Sequence, residues 1–137
     1  MTKLILSVAA WLVLVVVLMV GAAYFWVWVY SLLIHTGGDH AHYEAYAKVA
    51  SPVVAVITAF PVFFLMGRYM RRFGERAVYA AGAVVALNLI LDGLTLITVA
   101  EDLGYVGMMS ALSMILKIAG AWAGLRHRTS DVRPAVG

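Results

Sequence analysis

Four apolar stretches, at about residues 4–34, 51–70, 77–100 and 105–125, fill most of this chain, and only two charged side chains, Asp92 and Lys117, lie deep within them. A run of about twenty apolar residues matches the hydrocarbon thickness of a bilayer, whereas a charge at mid-depth costs roughly 2.5–3.5 kcal/mol on insertion scales. The expected fold is therefore all-α: a polytopic integral membrane protein whose four transmembrane helices form an up-down-up-down bundle. Each interior charge is expected to have a partner or to belong to a pathway.

Composition agrees. A hydrophobic fraction of 64% against 12% charged residues lies outside the range of soluble domains. Four spans and their connections account for a single domain of 137 residues, so any chemistry belongs within the bundle or at its rims. The chain has no cysteine, which excludes disulfides, thiolate metal sites and thiol nucleophiles. The net charge of +3 comes from basic residues beside the spans, where anionic headgroups explain them better than nucleic acid does. The first stretch reads as a span and not as a cleaved signal, because its apolarity continues past Gly21, Ala22 and Ala23 to Ile34. A signal's apolar region stops after about 7–15 residues.

Cytoplasmic connections accumulate Lys and Arg, and exported ones do not. Arg68, Arg71, Arg72 and Arg76 stand between the second and third stretches, Arg126, Arg128 and Arg133 in the tail at 126–137, and Lys3 at the front. The first loop, from His35 to Glu44, has neither Lys nor Arg, and the third carries Glu101 and Asp102. This asymmetry predicts cytoplasmic N- and C-termini in the plasma (inner) membrane.

The second stretch opens with Ser51-Pro52, a cap followed by proline at a first helical position, although Glu44 to Ala50 also reads as helical. Glu44 and Lys48 stand four apart in the favourable order for an ion pair, and Pro61 predicts a bend near Thr58.

The polar residues of the last two stretches fall on one face each. Asn88, Asp92 and Thr95 are spaced by four and three, and Ser110, Ser113, Lys117, Gly120 and Gly124 repeat that spacing. In an antiparallel hairpin Asn88 comes level with Lys117 and Asp92 with Ser113. Helix side chains lean toward their own N-termini, so Asp92 and Lys117 lean toward each other. They are expected to form an intramembrane ion pair, with Asn88 and Ser113 supplying hydrogen bonds and the two glycines letting the third and fourth helices approach closely. Glu44, Lys48, Ser51, Ala55 and Thr58 share a face of the second helix and would extend the polar stripe to the outer surface, which suggests an outward-opening pocket.

The outer loop offers His35, Asp39, His40 and His42, donors that suit a divalent metal such as zinc or copper. Their spacing is not diagnostic, and an ordinary solvated turn through Gly37-Gly38 explains them better. No histidine stands at membrane depth to hold haem. Three functional expectations follow: a small transporter or channel, homo-oligomeric, using the Asp92 and Lys117 pair; a non-catalytic subunit or assembly factor of a larger membrane complex; and an enzyme acting on a lipid or quinone, which lacks a visible nucleophile and base at suitable spacing.

Overall fold

The computed structural model describes residues 1–99 and 103–127. Glu101 and Asp102 of the third loop, and Arg128 and Arg133 of the tail, lie outside the described residues. Helix α1 (Thr2–Val29) passes into a π-helical turn (Tyr30–Ile34), and α2 (His40–Met70) leads through a 3-10 segment (Arg71–Arg76) into α3 (Ala77–Val99); α4 is Leu103–Arg126. Among the described residues there is no strand. Three helical stretches are long and apolar enough to cross a membrane: Thr2–Ile34, His40–Thr98 and Leu103–Arg126. The second of them includes both α2 and α3.

Of the two readings of the second stretch, the helical one for Glu44 to Ala50 holds, and Ser51-Pro52 is not the start of α2. Its cap is Asp39, whose Oδ1 accepts a hydrogen bond from the backbone N–H of His42 at 2.9 Å, and the helix continues through Pro52 and Pro61 to Met70. Each proline removes one donor from the helix ladder. Tyr105 on α4 donates its hydroxyl to the Val49 carbonyl at 2.9 Å, just ahead of Pro52. Helix and cap together outweigh the local proline signal.

The turn between α2 and α3 depends on Gly74, whose φ of 63° and ψ of −128° lie where a side chain is strained. Past it the chain folds back, and Met66 and Met70 of α2 share a core with Ala80, Ala81, Val84 and Val85 of α3. Helix α1 lays Leu4, Val8, Trp11, Leu12, Val15 and Met19 against that core. These positions recur every three or four residues, so one stripe of α1 is packed while most of its other side chains face outward.

The tightest contact joins α2 and α4, which run parallel. A Cβ on Gly120 would stand 2.5 Å from the carbonyl oxygen of Phe60, and one on Gly124 would stand 2.8 Å from the backbone nitrogen of Arg68. Gly67 of α2 lies equally close to the backbone of Ala121. This corrects the expected role of Gly120 and Gly124: they seat α4 on α2, not on α3. The small and polar stripe of α4 is wide enough to serve two neighbours, with Lys117 reaching α3 while the bare backbone of the glycines meets α2.

Candidate functional site

The level of Phe63, in the C-terminal third of α2, is where three helices meet around one cation. The Lys117 side chain is 1% exposed and is among the largest fully buried side chains in the molecule. Its Nζ donates to Asn88 Oδ1 at 2.6 Å and to Asp92 Oδ2. Asn88 and Asp92 stand four apart on α3, so their side chains point the same way one turn apart and form a two-oxygen cradle. An ammonium has three protons to donate and no lone pair, so this cradle satisfies two of its three donors and balances its charge. Phe63 supplies an apolar wall from α2, its ring centroid 5.8 Å from Nζ.

The two members of the pair differ in burial. The Asp92 side chain retains 28% exposure against 1% for Lys117, so the carboxylate is partly accessible while the ammonium is sealed. Breaking such a pair leaves a buried charge uncompensated, which costs far more than the pair contributes as a unit.

The remaining expected site residues divide clearly. Ser113 is buried on α4, but its Oγ has no hydrogen-bond partner, which corrects the expectation that it would bond the pair. Thr95 turns back to its own helix and donates to the Leu91 carbonyl at 2.9 Å. Thr58 does the same toward Val54 at 2.8 Å. Both hydroxyls satisfy themselves locally, as threonine does in a helix, and neither extends the cradle. Glu44 and Lys48 are exposed near the start of α2, and Glu44 lies 3.8 Å from His40.

At that same end the loop histidines pack in an aromatic cluster. The His35 and His42 rings lie 4.2 Å apart between centroids, and Tyr30 stacks on Tyr46 at 3.6 Å. Tyr43 donates to the His35 carbonyl at 2.7 Å and accepts from the Gly38 N–H at 3.0 Å, pinning the turn. Asp39 is engaged as the helix cap. Among the described residues no three His, Asp or Glu side chains converge as a metal would require.

Two clefts are evident at the opposite, basic end. One of about 470 Å³ is lined by Met1, Lys3, Leu4, Phe73, Glu75 and Arg76, and one of about 260 Å³ by Arg68, Arg71, Arg72 and His127. Neither includes Asp92 or Lys117.

Sequence reasoning missed Phe63 as a neighbour of Lys117. No signal marks it, because an apolar residue that faces a partner helix looks the same as one that faces lipid. No family model, curated protein or solved structure matches the chain.

Proposed function

We propose that the chain is a four-span protein of the plasma (inner) membrane, with both termini cytoplasmic, that serves as one protomer of an oligomeric transport unit for an ion or small solute. Asp92 is the accessible and Lys117 the buried member of its charged site. The unequal burial of the pair, 28% against 1%, carries this reading. A pair kept only to fasten two helices gains most when both heads are sealed, because each exposed face of a charge at membrane depth is costly. Asp92 lies about 10 Å along α3 from Val99 at 1.5 Å per residue, too far along to escape by snorkelling as Lys or Arg does. A second copy or a partner membrane subunit laid on this side of α3 would turn the open carboxylate into one wall of a lined path.

The topology has independent support. The reversal at Gly74, with Arg71, Arg72 and Arg76 beside it, favours two crossings within His40–Thr98. Lys3 and Arg76 line one cleft at the same end, which agrees with an N-terminus on the arginine-rich side.

The test is flux through proteoliposomes holding wild-type or Asp92→Asn protein. Loss of flux by a variant that still inserts and assembles is expected. Loss of folded protein, with unchanged flux per surviving molecule, would assign the pair to helix fastening.

A second reading, a non-catalytic subunit or assembly factor, is favoured by the glycine-seated packing of α2 on α4 and by clefts that do not reach the pair. It requires a fixed partner to copurify from native membranes. A homo-oligomer free of other chains would speak against it.

A further inference from the structure

Three arginines gather at one helix end. Arg68, Arg71 and Arg72 line a cleft of about 260 Å³ with His127, between the C-terminal ends of α2 and α4. Among the described residues no carboxylate stands within ion-pair distance of these guanidinium groups. Two of them are held in place: Arg71 donates to the His127 carbonyl, and Arg72 donates to the Tyr69 hydroxyl while its guanidinium lies 3.5 Å from that ring's centroid. Arg126, at the end of α4, stacks over Trp122 at 4.0 Å. Trp122 is 55% exposed, and exposed tryptophan and tyrosine rings one turn from basic side chains mark the level of lipid headgroups.

We infer that this cleft binds the phosphate of an anionic phospholipid from the cytoplasmic leaflet. Guanidinium groups present paired N–H donors matched to phosphate oxygens, and fixing them by stacking and by carbonyl contact removes part of the entropy that ordering a free arginine would cost. The cleft opens at the depth where a lipid phosphate lies, with acyl chains free to run up the outside of α2 and α4. The inference rests on the membrane reading of the chain and not on any role for Asp92.

The test uses full-length protein reconstituted in phosphatidylcholine bilayers containing a minor fraction of phosphatidylglycerol, followed by native mass spectrometry of the lipids retained on extraction. Wild-type protein is expected to retain phosphatidylglycerol in excess over its bilayer fraction. Arg68→Gln combined with Arg72→Gln is expected to lower that excess by roughly tenfold to thirtyfold, as two interfacial cations are lost. Arg76→Gln, outside the cleft in the same turn, is expected to leave it unchanged. Arg68→Lys with Arg72→Lys keeps the charge that sets orientation but not the paired donors, so it is expected to retain only part of the excess. If the double glutamine variant fails to insert, the lysine variant decides, and full retention by it overturns the proposal. Equal retention by wild type and the glutamine variant overturns it as well. Displacement of phosphatidylglycerol by millimolar inorganic phosphate would assign the cleft to the free anion and overturn the lipid assignment. Unchanged flux in these variants, with flux lost in Asp92→Asn, separates this site from the charged pair.

Discussion

Gly120 sits so close to Phe60 that a Cβ at Gly120 would stand 2.5 Å from the Phe60 carbonyl oxygen. Two helix backbones in such contact gain dispersion, the term that joins helices where a lipid surround removes the hydrophobic driving force. The obstacle to any side chain there is backbone, which cannot turn aside.

Gly120→Ala and Gly124→Ala are expected to pry α4 from α2 and destabilise the folded protein by about 1–3 kcal/mol each, the usual scale of overpacking. Gly93→Ala and Gly107→Ala meet nothing within 4 Å and are expected to be neutral or stabilising by up to about 1 kcal/mol through helix propensity. Unfolding in mixed detergent micelles measures the contrast.

Lys117→Met leaves Asp92 without its counter-charge, and Asp92→Leu strands a sealed ammonium. The second is expected to be the worse because Lys117 is more deeply buried than Asp92, with losses of about 3–5 kcal/mol for breaking a buried pair. Combining the two is expected to recover most of the loss. A double-mutant cycle on unfolding free energies reads the coupling.

Ser113→Ala removes a buried hydroxyl that has no partner. It is expected to be neutral or to stabilise by up to about 1 kcal/mol, since an unpaired polar group carries only its desolvation cost. Asn88→Leu, which deletes the 2.6 Å acceptor of Lys117, is expected to destabilise in the same assay.

The chain has no cysteine, so single substitutions report sidedness directly. Thr36→Cys is expected to react with an impermeant maleimide added outside intact cells. Glu75→Cys is expected to react only after the membrane is opened. Reversed labelling would overturn the orientation inferred from the arginines.

The contact between Asp92 and Lys117 was legible in the sequence for a physical reason: charges are rare inside such long apolar stretches, and a three-or-four spacing on two consecutive helices leaves few registers in which they meet. Asn88 followed from the same geometry. The parallel seating of α4 on α2 was not legible, since Gly120 and Gly124 specify a close neighbour without saying which helix it is. Phe63 was hidden for a related reason. When both lipid and core are apolar, helical periodicity loses the contrast that identifies a buried face in water. The histidine loop shows the converse, because its donor types suit a metal while Asp39 is drawn into capping α2 and Tyr43 pins the turn.

The unequal pair also constrains how the molecule is made. Asp92 precedes Lys117 by 25 positions, so during synthesis α3 leaves the ribosome carrying an acid whose partner Lys117 has yet to be translated. On the proposed topology the last hairpin is expected to enter the bilayer as one piece, and a chain stalled or truncated before Lys117 is expected to present an uncompensated carboxylate.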